Sequence, residues 1–283
     1  EACQGGAAEA IVADSDAQVA ALVADPRVRG VSLTGSTRAG RAVGALAGRA
    51  LKPCVLELGG SDPFVVFADA PLEEVVAAAV EGRCQNSGQS CIAAKRFLVE
   101  RPLYAAFRDA FAAALGALRV GSPLDPATQV GPLARVDLRD QLAAQVAASL
   151  AQGARALVGG RVPPGPGAWY PPTLLVDVPP GAPAATEELF GPVAVLAPFD
   201  GEEQAVAAAN GTPYGLGASV WTADRERARR LVPRLEAGSV FVNGLVRSDP
   251  RWAFGGTKDS GLGRELGPEG LRAFTAPKTA WLR

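Results

Sequence analysis

At 283 residues, with 48% hydrophobic side chains, the chain is long enough for one large or two ordinary domains with sizeable cores. A net charge of −1, with acids and bases interspersed, offers no basic stripe for nucleic acid and no polybasic patch for a membrane surface, and no apolar run nears the roughly 20 residues of a membrane helix. The absence of histidine excludes Ser-His-Asp and Cys-His catalysis and most zinc chemistry, and four cysteines without a CxxC pair make no disulfide framework.

The chain opens on Glu-Ala-Cys-Gln-Gly-Gly, without a starting Met and without the charged, apolar and small-residue succession of a signal peptide. The expectation is a chain truncated on its N-terminal side, with a reducing cytoplasm as its compartment. Apolar residues at helical spacing predict a helix over 17–25. A strand over 28–34, a small-residue helix over 37–50 and a strand over 54–58 then make a β-α-β unit, hence a parallel sheet. Beyond Gly59-Gly60 the alternation continues with a strand over 63–68, a helix over 71–83, a strand over 95–100 and a helix over 102–117. Next come a helix over 136–151, a strand over 154–158, a Gly- and Pro-rich surface loop over 159–172 and a strand over 193–199. A helix over 202–210, a strand over 216–222, a helix over 224–236 and a strand over 238–243 follow, and the last ten residues read as a short strand. Alternating strands and helices predict a doubly wound α/β architecture. The sheet before Gly59 is too small to stand alone as a mononucleotide-binding domain.

Five segments have the residue types for chemistry. Gly35 and Ser36, in the Leu-Thr-Gly-Ser-Thr-Arg-Ala-Gly stretch 33–40, lie between a strand and a helix. There free N–H groups and the helix dipole hold a pyrophosphate, or Ser36 is an ordinary N-cap. Glu57 lies in an apolar strand ahead of Gly59-Gly60; it is either a buried carboxylate with a raised pKa, suited to a general base, or a strand-end acid in solvent. Cys91, in Gln-Asn-Ser-Gly-Gln-Ser-Cys, is either a buried structural cysteine or a nucleophile activated by N–H donors or a positive neighbour. Glu187-Glu188-Leu189-Phe190-Gly191-Pro192 could offer a ribose-binding acid and an aromatic wall, or is a plain loop. The Gly-rich stretch 254–265 lacks the strand context of a phosphate-binding fingerprint.

Together, and in this order, these segments closely resemble the aldehyde dehydrogenase superfamily over almost the whole chain. Glu57 precedes Cys91 by 34 residues and Glu188 follows it by 97, the family's usual spacings. The resemblance implies a partial Rossmann-type cofactor domain over 1–59, a doubly wound α/β catalytic domain over 60–259, and a return segment with an oligomerisation strand over 260–283. Trp281 would pack at a subunit contact of a homodimer or homotetramer. It further implies Cys91 as nucleophile, Glu57 as general base, and NAD or NADP as cofactor. Glu188 would meet the nicotinamide ribose and Phe190 the ring, Ser36 the pyrophosphate, with Gly35, Leu58 and Gly59 beside the cofactor. The family pattern needs no metal. The Cys91 N–H is one oxyanion donor; the second, an Asn side chain, and the residues that choose NAD or NADP lie N-terminal to everything in this chain. The isolated chain is therefore expected to be inactive or poorly folded.

Within the superfamily, Leu-Glu-Leu-Gly-Gly-Ser-Asp-Pro-Phe, Ala-Ala-Lys-Arg-Phe and the 254–266 stretch are similar to bacterial succinate-semialdehyde dehydrogenases, and most other members carry a different pair at Ser61-Asp62. This implies a small aldehyde, succinic semialdehyde, as substrate. One departure stands against it: some of those enzymes carry an Arg six residues before the nucleophile, where this chain has Gln85. Arg83 stands two residues further off, Ser248 and Arg247 are alternative carboxylate anchors, and Asn243 is placed near the substrate mouth. Two other readings remain: a dehydrogenase of another small aldehyde, and a non-catalytic structural relative.

Overall fold

A computed structural model describes residues 16–283. Helix α1 (Asp16–Ala24) leads to strand β1 (Val31–Thr34), helix α2 (Thr37–Arg49) and strand β2 (Cys54–Glu57). Strands β1 and β2 pair in parallel, Thr34 opposite Glu57, the geometry that a helical crossover permits. Ser36 caps α2, its Oγ accepting from the Ala39 N–H at 3.2 Å.

The chain then enters a larger sheet through β3 (Pro63–Val66), α3 (Leu72–Cys84), β4 (Arg96–Glu100), α4 (Arg101–Gly116) and α5 (Val136–Ala151). Glu73 and Glu74 in the first turn of α3 and Arg83 in its last complement the helix dipole, and Pro102 starts α4 where its missing N–H costs nothing. There follow β5 (Arg155–Val158), β6 (Thr173–Val176), the one-turn α6 (Pro183–Thr186), β7 (Val193–Phe199) and α7 (Gly201–Asn210). The two-residue β8 (Tyr214–Gly215), β9 (Gly217–Trp221), α8 (Arg225–Leu231) and β10 (Ser239–Val242) complete the alternation. Last come β11 (Thr257–Lys258), β12 (Gly261–Leu262) and α9 (Gly267–Arg272).

Seven strands form the main sheet in the order β10-β9-β3-β4-β7-β6-β5, all parallel except the edge pair β5–β6. Successive side chains of a strand face opposite sides, and here both sides are covered. Phe64, Val66, Phe97 and Val99 join one buried cluster with Phe107 and Phe111 of α4. Val65 and Leu98 join another with Ala205 of α7 and Leu231 of α8, and Leu175, Val193 and Val195 pack on Leu142 and Val146 of α5. The α/β, doubly wound expectation holds.

Four departures from the sequence reading stand out. Residues 173–176 form a strand that the reading passed over, and β8, β11 and β12 exist only through pairing: β11 with β8, and β12 antiparallel to β2. The helix expected over 224–236 ends at Leu231 and tightens into a 3-10 turn over Val232–Arg234, where Pro233 lacks the N–H a longer helix would use. No strand forms over 274–283: a strand needs a neighbour to satisfy its N–H and C=O groups, and this segment has none among the described residues. Trp281 is accordingly 84% exposed.

Candidate active site

The segment that joins α3 to β4 carries Cys91. It begins as a 3-10 turn over Gln85–Gly88 in which Asn86 and Ser87 take φ of +50° and +54°, the left-handed region that side chains with a Cβ seldom occupy. Hydrogen bonds over-determine this shape. Asn86 Nδ2 donates to Gln89 O (2.9 Å), Gln89 Nε2 donates back to Asn86 O (3.2 Å), Ser87 Oγ donates to Gly131 O, and the Ala134 N–H donates to Gln89 Oε1. Beneath the turn Arg83, fully buried, donates to Gly88 O at 2.7 Å and to Val193 O at 3.3 Å. Arg83 thus braces the turn from inside the core.

Cys91 is half-buried and lines a cavity of about 690 Å³, within the size range of small-molecule and cofactor sites. Burial pushes its thiol up; the Lys95 ammonium opposes this, the Asp62 and Glu188 carboxylates add to it, and the Ile92 N–H draws it back down. Glu57, the last residue of β2, opens on the same cavity. It is 3% exposed, and neither of its carboxylate oxygens has a hydrogen-bond partner among the described residues. Burial pushes it up to about 7; Glu265 adds to the rise and Arg264 offsets part of it. Of the two readings of Glu57, the buried carboxylate is the one observed.

Gly35 and Ser36, at the N-terminus of α2, form one wall with Thr34, Thr37 and Arg38. Leu58, Gly59, Glu188 and Phe190 complete the set that sequence reasoning placed beside a cofactor, and all of them line the cavity. Gly59 and Gly60 let two partners come close. A Cβ on Gly59 would lie 2.4 Å from Glu188 Oε2, and one on Gly60 would lie 2.5 Å from the Cys91 carbonyl oxygen. Glu188 Oε1 accepts the Gly60 N–H at 3.0 Å and lies 3.8 Å from Lys95 Nζ.

Three residues expected near a substrate are not brought to this cavity. Gln85 and Ser248 are exposed away from it, and Asn243 engages its amide with Thr222, accepting from the Thr222 N–H and donating to Thr222 O. Conversely, the cavity takes in Leu138, Gln141, Leu142 and Gln145 of α5, which sequence reasoning missed. Their i, i+3, i+4, i+7 spacing marks one helix face, and the two glutamines on it were the available signal. Gln145 Nε2 donates to Glu187 Oε2 (2.7 Å) and to Glu188 O (3.1 Å), which holds the acidic loop in place. Tyr214 also lines the cavity and has no signal in the sequence.

Chemically, a thiol and a carboxyl that titrates near neutrality share one cavity with a helix N-terminus and an acid poised on a backbone N–H. That set suits covalent attack followed by base-assisted addition of water. A family profile described as the aldehyde dehydrogenase family matches residues 4–280. The chain is 52% identical over 269 residues to the Escherichia coli succinate semialdehyde dehydrogenase [NAD(P)+] Sad, an alignment that covers 95% of this chain and 58% of that protein. It is 49% identical over 268 residues to a Mycobacterium ulcerans succinate-semialdehyde dehydrogenase [NADP(+)], with 95% and 58% covered. Among solved structures, that of Gox0499, from work on its cofactor and substrate selection, superposes with a TM-score of 0.92 at 42% identity, over 95% of this chain and 59% of that one. The chain therefore spans somewhat more than half the length of the relatives it matches.

Proposed function

Because the chain belongs to the aldehyde dehydrogenase family, we propose that its protein oxidises an aldehyde, succinic semialdehyde, to the carboxylic acid with NAD or NADP as hydride acceptor. The observation that carries this reading is the meeting of Cys91, Glu57 and Glu188 on one cavity from segments far apart in the chain.

The Cys91 thiolate attacks the aldehyde carbon to give a thiohemiacetal, and the Cys91 N–H donates to the oxyanion. The N-terminus of α2, Glu188 and Phe190 would hold a nicotinamide cofactor, which would supply the hydride acceptor needed to oxidise the thiohemiacetal to a thioester on Cys91. The donor set fits it: N–H groups and Arg38 suit the pyrophosphate, a carboxylate suits ribose hydroxyls, and an aromatic side chain suits the ring. Glu57, ionised above about 7, removes a proton from the water that hydrolyses the thioester on Cys91 Sγ. A base at this position favours hydrolysis over acyl transfer to coenzyme A. The Gln85 departure favours, as a second reading, another small aldehyde.

The compartment we favour is the cytoplasm; among the described residues no helix is long and apolar enough to cross a membrane. The test is formation of reduced cofactor by the full-length protein with succinic semialdehyde, using NAD and NADP in parallel beside Cys91→Ala. Turnover lost in Cys91→Ala supports the mechanism. Turnover with other aldehydes alone replaces the substrate, and a folded protein inert towards every aldehyde points to the non-catalytic reading.

A further inference from the structure

Cys91 sits in a turn outside any helix or strand, and something must hold it against the cavity. Lys95, four residues on, is 1% exposed, and its Nζ donates to Ser90 O (3.2 Å), Cys91 O (3.0 Å) and Ala93 O (3.0 Å). All three donors of one ammonium are thus spent on the carbonyls around the nucleophile. A buried ammonium is costly unless it is paired, and the carboxylates that face it are Asp62 and Glu188. Asp62 is 2% exposed; its Oδ1 accepts the Gly217 N–H at 3.1 Å and its Oδ2 has no hydrogen-bond partner among the described residues. Its carbonyl oxygen accepts from both Lys95 N–H and Arg96 N–H, at 3.1 and 3.2 Å, so the two segments are also joined through their backbones.

We propose that Lys95 is a positioning residue for Cys91: its buried ammonium fixes the turn that carries the thiol and places a positive charge beneath it, with Asp62 and Glu188 as counter-charges. This rests on the reading of Cys91 as nucleophile. Burial pulls Lys95 down to about 8, with Arg83 acting in the same sense and Glu188, Asp62 and Cys91 opposing it. The ammonium charge is therefore mostly present at neutral pH and fades in mild alkali. Burial raises Asp62 to about 7 against the pull of Lys95, so the Asp62 counter-charge is complete only above neutrality. Lys95 is also the largest influence holding the thiol down against burial.

The experiment is alkylation of Cys91 by iodoacetamide in the full-length protein, followed by peptide mass spectrometry from pH 6 to 10. Lys95→Gln keeps amide donors for the carbonyls but loses the charge. We expect alkylation at pH 7.5 to slow roughly tenfold and the midpoint to move to higher pH, as loss of a close opposite charge requires. Where Lys95→Gln does not fold, the Lys95→Gln/Asp62→Asn pair removes both charges together, and the lysine, the stronger influence on the thiol, still sets the direction. A folded variant of either kind with the wild-type alkylation profile overturns the proposal. The reading beneath it fails separately: undiminished turnover in Cys91→Ala would remove Cys91 as nucleophile whatever the alkylation shows.

Discussion

Glu57 shows how a single residue is tuned by what surrounds it. In an exposed position its carboxyl would be ionised throughout the neutral range; here burial, with no hydrogen-bond partner among the described residues, raises it to about 7. A rate limited by hydrolysis should therefore rise with pH through about 7. Glu57→Gln should abolish that limb and cut steady-state turnover roughly 10³-fold, as removal of a general base does, while a single-turnover burst of reduced cofactor survives. Stability takes the opposite sign. A carboxyl whose folded pKa is raised contributes stability that is complete below the unfolded value of 4.5 and is lost as pH rises through about 7. Glu57→Gln escapes that loss, so its Tm at pH 8 should exceed wild type by about 3 °C. A Tm at or below wild type would mean that the buried carboxylate is satisfied by groups outside the described chain.

At the scale of elements, the cavity is built where strands and helices end: β2 at Glu57, α2 at its N-terminus, α3 at the turn before Cys91. Arg83 joins the end of α3 to the start of β7 through two carbonyls. Arg83→Met fills similar volume but leaves Gly88 O and Val193 O without their donor. Urea unfolding should show a loss of about 2–4 kcal/mol, and the strained Asn86–Ser87 turn should become open to proteolysis. A loss under about 0.5 kcal/mol would show that the turn holds itself. The long alternating elements were legible in the sequence because periodicity and capping are local. The four-residue β6 was not, since it directly follows Pro171-Pro172 at the end of a Gly- and Pro-rich stretch that reads as loop. The pairs β8–β11 and β2–β12 were beyond reach, because two-residue strands are defined by a partner more than forty residues away.

For the whole molecule, the main sheet is closed on both faces by its helices, but the end of the chain is not. Leu262, Leu271, Phe274, Trp281 and Leu282 are all at least 47% exposed, an unusual concentration of large apolar groups over the last twenty-odd residues. The strand expected there has no pairing partner among the described residues, and we propose that a second subunit supplies one. The full-length protein should sediment as a dimer or tetramer, and Trp281→Arg should shift it towards monomer at micromolar concentration. A monomeric wild-type protein would remove the oligomerisation reading of this segment.

The order and spacing of the motifs carried the family and the fold class, and singled out Cys91, Glu57 and Glu188, which line one cavity, because these are properties of residue type along one dimension. Burial is not. Whether Glu57 ends in water or in the interior was decided by residues about two hundred positions later, where Gly255 and Gly261 pack against it and Glu265 lends its charge. Lys95 and Asp62 had no chemical role in the sequence reading, and the parallel pairing of β3 with β4 sets them side by side close to Cys91. Asn243, read as lying near the substrate mouth, engages the Thr222 backbone with its amide, because the β9–β10 pairing brings those two residues together. The sequence specifies which groups are present, and only the packed sheet determines which of them lose their water, and so which acquire the pKa and the partners that chemistry requires.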